Sequence, residues 1–150
     1  MSKDRYATLH QTAGEALHMG QVLELNLGIL IDLVNRGRGS FVDARKLIVE
    51  ENKKTLGQLV AELRKRATVS AETEHALSAA LEARNYIAHD FFLRVVDAFT
   101  NDSTHQQAME LLKGKAKQVA IGAAITQGFV QGLTEHLGGK MADVLIRQDI

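Results

Sequence analysis

LSAALEARNYIAHDFFLRVVDAF (residues 77–99) winds into one broad apolar arc when its residues are spaced at about 100° each. Leu77, Ala80, Leu81, Ile87, Ala88, Phe91, Phe92, Val95, Val96 and Phe99 all fall on that arc. The pattern predicts a helix that opens at Ser70, followed by Glu72 and Thr73, and runs to about Phe99. Asn101-Asp102-Ser103 then closes it and caps the next helix. One residue breaks the arc: Arg84 lies inside it, with Asn85 and His89 along its edge. An unpaired guanidinium against apolar surface is costly, so position 84 marks either a buried ion pair or a cleft. Asn85 and His89, four residues apart, project from one side of the helix, with Arg84 about a quarter turn away.

Upstream, residues 5–35 are also helical in period, but their apolar side chains form two groups. Leu17, Leu23, Leu27, Leu30, Ile31 and Val34 make one, and Val22, Leu25, Ile29 and Leu33 the other. Only a narrow polar strip of Gln21, Glu24, Asp32 and Asn35 separates them. So little polar surface points to a helix wedged in a core or shared between subunits, and the second group is expected to contribute to a dimer. Arg36-Gly37-Arg38-Gly39-Ser40 ends the period in a loop with a glycine C-cap and a serine N-cap. A short helical piece follows over 41–49, then a helix over 55–66 with Leu56, Leu59, Val60 and Leu63 on one face.

Downstream, a long helix is expected from Thr104 to Leu137, with a break near Gly128 to Gly132. The small residues Ala120, Gly122, Ala123, Ala124, Gly128 and Gly132 suggest close helix approach along it. Gly138-Gly139 ends it, leaving a tail over 140–150. The expected fold is all-α: an up-and-down bundle of four to five helices forming one domain over 1–150, with its core at about 5–137 and a short tail at 138–150.

Composition agrees with helix and narrows the chemistry. Proline, tryptophan and cysteine are absent from the 150 residues, which rules out disulfides and thiolate metal sites. A reducing, cytoplasmic setting is the expectation. The first residues carry no apolar export core, and the greasiest stretch, Leu25 to Val34, is short and interrupted by Asn26 and Asp32, so no membrane anchoring is expected. Eighteen basic residues balance eighteen acidic ones, so a nucleic acid would have to be held by a local basic cleft rather than by a global field. His10, His18, His75, His105 and His136 show no ligand spacing, and neither a metal nor another cofactor is expected.

Each remaining polar feature has an ordinary structural reading beside its functional one. Arg84 could pair with Glu24 or Glu62 as a core brace, or Glu24 could support it from behind a functional cleft. Tyr86 points away from the arc and suits a surface or groove rim, where a base could stack on it. Asp90 reads as a solvated neighbour. Arg36, Arg38, Arg45 and Lys46, and then Lys53, Lys54, Arg64, Lys65 and Arg66, form two basic runs that suit solvated helix ends or an RNA backbone.

Arg84-Asn85-x(3)-His89 resembles the R-N-x(3)-H form of the Arg-x(4-6)-His signature of HEPN proteins, a family of small helical proteins. The long first helix, the Thr-Leu-Gly-x-Leu segment at 55–59 and the aromatic pair Phe91-Phe92 also look like that family. The likeness in architecture covers about 5–137. It implies a homodimer whose paired motifs face each other across a twofold axis and form a metal-independent endoribonuclease site, with Arg84, Asn85 and His89 as its catalytic residues. It also implies RNA as substrate, a toxin or phage-defence role, and an antitoxin or regulator protein as partner. A non-catalytic dimeric module of the same fold, holding RNA, a nucleotide or a protein partner, is the alternative. In toxins of the HEPN/MNT pairs a tyrosine often follows the histidine by two residues and is modified by the partner; Phe91 stands there in this chain, which argues against such control.

Overall fold

The computed structural model describes residues 3–36, 55–66 and 69–136, and all of its regular structure is helical. In chain order the elements are α1 (Lys3–Arg36), α2 (Leu56–Arg66), α3 (Ala71–His89), the single turn α4 (Phe91–Arg94), a 3-10 turn (Val96–Phe99) and α5 (Asp102–His136). The all-α class is therefore as the sequence suggests. The helical piece expected at 41–49, the 36–40 loop beyond Arg36, and the tail at 138–150 lie outside the described residues.

Three helices start on side-chain caps that can be read from the sequence. Thr55 and Gln58 form a reciprocal capping box: the Gln58 amide donates to Thr55 Oγ1 at 3.2 Å and the Thr55 amide to Gln58 Oε1 at 2.8 Å. That box gives the Thr-Leu-Gly-Gln segment a local structural purpose. At α3 the Thr73 amide donates to Ser70 Oγ at 3.2 Å, with Glu72 and Glu74 in the first turn opposite the helix dipole. At α5 the Ser103 and Thr104 amides both donate to Asn101 Oδ1, at 2.9 and 3.2 Å.

The helix expected to run unbroken to Phe99 instead stops at His89. Asp90 (φ −118°, ψ −35°) carries no side-chain cap bond, and Val95 (φ −115°, ψ 30°) ends α4 after one turn. Two aromatic and two β-branched residues in six positions hold this stretch weakly to a helix, and packing sets its course instead. Phe91, Val95 and Ala98 are buried, whereas Leu93 is 78% and Val96 61% exposed. Val96 therefore leaves the arc that a straight helix would have given it. The expected break in the last helix is also absent, since α5 continues through Gly128 and Gly132. An added Cβ at either of those glycines would meet nothing within 4 Å, so neither serves the close approach that their small size suggested.

The chain divides into two compact units, each using part of α1 and part of α5: residues 1–21 with 75–122, and residues 22–74 with 123–150. In the first, Leu9, Ala13 and Ala16 from α1 gather with Ile87, Phe91, Val95, Ala98, Ala108, Met109 and Leu112 in one apolar cluster. At its edge Tyr6 stacks on His10 with centroids 4.0 Å apart, and His10 stacks on Phe92 at 4.7 Å. An Arg5–Asp102 ion pair closes the same end.

In the second unit α1 is buried on two sides, for Ile29 and Leu33 are as hidden as Leu23, Leu27 and Leu30. The side of α1 expected to serve a dimer is thus used in part by the chain's own interior; Val22 and Leu25 are half-buried. Asn26, 3% exposed, donates to Thr126 Oγ1 at 3.2 Å and to the Ala123 carbonyl at 3.4 Å, and Thr126 donates to the same carbonyl at 2.9 Å. By length and composition Asp4–Leu33 could cross a membrane, which the shorter stretch singled out in the sequence could not, and more than half of its most apolar window is buried within the protein.

Candidate functional site

Leu77, Ala80, Ala83 and Ile87 form the buried stripe of α3, spaced by three or four residues so that each lies above the last. Arg84 directly follows one of these anchors and is half-buried. Its aliphatic stem runs along α1 at Gly20: a Cβ placed there would stand 3.0 Å from Arg84 Cγ and 3.9 Å from Arg84 Cβ. The bare backbone at Gly20 leaves room for the stem to lie against α1.

Of the guanidinium, Nη1 donates to Asn85 Oδ1 at 3.2 Å. Asn85 and His89 are both exposed, one turn apart on one side of α3. His89 is the last residue of α3, and the Asp90 amide still donates to the Tyr86 carbonyl at 2.9 Å, so the helix holds its geometry through the histidine. The structure therefore joins Arg84 to Asn85 directly and presents His89 on the face that Asn85 shares. Because Asn85 Oδ1 accepts from Arg84, its amide nitrogen is left to donate toward solvent.

Tyr86 differs from its sequence reading. It is half-buried against the apolar cluster, edge-on to Phe91 at 6.4 Å, with Lys115 Nζ over its ring at 5.3 Å. A ring occupied in this way is poorly placed to stack on a base. Asp90 is exposed at the junction after α3, as expected of a solvated neighbour. Phe91 is fully buried, so the position at which the resemblance places a modifiable tyrosine lies in the core.

Glu24 and Glu62 are half-buried on α1 and α2. Of the basic runs, Arg64 and Lys65 are described; both are exposed, and Arg64 pairs with Glu74 at 2.8 Å. Residues 37–54 lie outside the described region. Among the described residues no three His, Asp or Glu side chains gather where they could hold a metal ion.

Sequence reasoning missed two residues at this site. Lys115 carried no signal, because a lone lysine on a long helix is ordinary. Gly20 did carry one: an isolated glycine in a helix interior costs about 1 kcal/mol relative to alanine, and a helix that retains one often has a packing reason. Comparison of the chain with protein-family models, with curated proteins and with solved structures finds no match.

Proposed function

We propose that this protein is a metal-independent endoribonuclease of the HEPN-like type, acting as a homodimer in which Arg84, Asn85 and His89 of both copies line one groove. What supports the reading is the Arg84–Asn85 hydrogen bond, which joins a fixed cation to an exposed amide one turn from an exposed histidine.

The chemistry follows from these groups. A ribose 2′-oxygen attacks the adjacent phosphorus and gives up its proton to the imidazole of His89 in one copy, since histidine exchanges protons near neutral pH. Negative charge grows on the phosphoryl oxygens, where the guanidinium of Arg84 meets it with a planar set of donors. The outward amide of Asn85 donates to a phosphate oxygen or a base edge. The bond to the 5′-oxygen breaks as the protonated His89 of the second copy delivers its proton there. The products are a 2′,3′-cyclic phosphate and a 5′-hydroxyl, and one histidine per copy makes dimerisation a condition of activity. A role as a toxin or in defence against phage, checked by an antitoxin or regulator, belongs to the same reading.

The test is His89→Ala in a chelator-containing cleavage assay on single-stranded RNA. Wild-type protein is expected to leave cyclic-phosphate ends, and the variant to lose about 100- to 10,000-fold in rate with helix content and dimer mass unchanged. Cleavage at the wild-type rate by the variant would refute the assignment. RNA bound equally by both but cut by neither would favour the binding module.

A further inference from the structure

We propose that Gly20 is the positioning residue for Arg84: the missing side chain on α1 forms a seat for the arginine stem and thereby fixes where its guanidinium emerges. Five helical glycines can be compared. Added methyl groups at Gly14, Gly114, Gly128 and Gly132 would meet nothing within 4 Å, whereas one at Gly20 would stand 3.0 Å from Arg84 Cγ. A contact of 3.0 Å is tighter than nine in ten real Cβ contacts, so a side chain at position 20 requires the stem to give by a few tenths of an ångström. Gly20 is itself buried, and the same point lies 4.0 Å from Val119 Cγ1, so room to yield on that flank is narrow as well.

The seat explains how two otherwise conflicting requirements are met at position 84. The residue lies beside the buried stripe of α3, where a long polar side chain is disfavoured, yet its head reaches Asn85 Oδ1 on the exposed side. Contact along the first two carbons of the stem restricts their rotamers, and the hydrogen bond to Asn85 is one of the contacts that hold the outer end. A guanidinium held at both ends of its side chain is preorganised, and small misplacements of such a group have large effects on rate. The helix bears the cost of a glycine in its interior to keep this space open.

The catalytic consequence rests on the ribonuclease reading, but the seat itself is a claim about two residues and is testable without it. Gly20→Ala and Gly14→Ala are each made in the wild-type and Arg84→Ala backgrounds and compared by thermal melting, with cleavage of single-stranded RNA measured in the wild-type background. Gly14→Ala is the control and should raise Tm by about 2–4 °C in both backgrounds, as a helical glycine replacement does, with cleavage unchanged. Gly20→Ala should give that rise only beside Arg84→Ala, where the remaining Cβ lies at an ordinary 3.9 Å. In the wild-type background it should fail to raise Tm and should lower kcat about tenfold, with KM within about twofold.

A folded Gly20→Ala that cleaves at the wild-type rate overturns the proposal, as does an equal rise in Tm in both backgrounds. If Gly20→Ala does not fold, recovery in the double variant supports the seat, and failure to recover overturns it. If wild-type protein does not cleave RNA, the ribonuclease reading fails, and the dependence of the Gly20→Ala melt on residue 84 still decides whether the seat exists.

Discussion

Two polar couples sit on long helices of this protein and are built in opposite ways. Asn26 and Thr126 are sealed from solvent and share the Ala123 carbonyl, so their hydrogen bonds close on one another. Arg84, half-buried, and Asn85, exposed, share one bond. A closed couple specifies how helices fit together, because a buried amide without its partners costs about 1–3 kcal/mol. An open couple on the surface adds little to folding.

The sharpest break of that comparison is Arg84→Ala. If the open couple is chemical, removing the guanidinium should slow RNA cleavage by about 100- to 1,000-fold, the usual cost of losing a donor aimed at developing charge. Urea unfolding of the same variant should shift by less than about 1 kcal/mol. A loss of about 3–5 kcal/mol, the signature of breaking a buried ion pair, would instead make Arg84 a brace and end the distinction.

Asn26→Ala is the reciprocal experiment. It strips the closed couple of its amide and leaves the Thr126 hydroxyl bonded to Ala123, so stability should fall by about 2 kcal/mol, or about 4–8 °C in Tm. Cleavage by the folded fraction should be unchanged. A variant that melts normally but cleaves poorly would place Asn26 in the wrong class.

The same contrast explains which parts of the molecule were legible in its sequence. Residues acting through their own helix were readable: the Ser70 and Asn101 caps, the Leu56-Leu59-Val60-Leu63 face, and the shared side of Asn85 and His89 all follow from local periodicity. What depended on distant packing was not. The arc through Phe99 is continuous as a pattern, but burial of Phe91, Val95 and Ala98 bends the chain after His89 and turns Val96 outward. Tyr86 reads as a surface residue until Phe91 and Lys115 are seen against it. Two apolar sides on α1 pointed to a core helix or one shared with a second subunit, and burial of Ile29 and Leu33 places part of the second side within the chain. At the candidate site, spacing placed Arg84 in the apolar arc with Asn85 and His89 at its edge, and the resemblance supplied their proposed role. Gly20, nearly 65 positions from Arg84, could not be assigned its role, because glycine reports a neighbour only once the neighbour is placed.

The smallest effect is the most discriminating within the open couple. Asn85 has two ends, an oxygen that accepts from Arg84 and an amide nitrogen that can donate. Asn85→Asp keeps the acceptor, so the guanidinium stays turned to the exposed side, but it removes the outward donor and sets a negative charge where a phosphate would approach. Asn85→Ala removes both ends. Because residue 85 is exposed, each variant should change stability by less than about 0.5 kcal/mol. If Asn85 acts by orienting Arg84, the aspartate should retain cleavage within about twofold while the alanine loses about tenfold, roughly the 1.4 kcal/mol of one modest hydrogen bond. If its outward amide contacts the RNA, the aspartate should be the slower of the two, and raising the salt concentration, which screens exposed charge, should narrow the gap between them. Equal rates for wild type and both variants would show that neither end of Asn85 takes part, leaving Arg84 and His89 as the whole of the site.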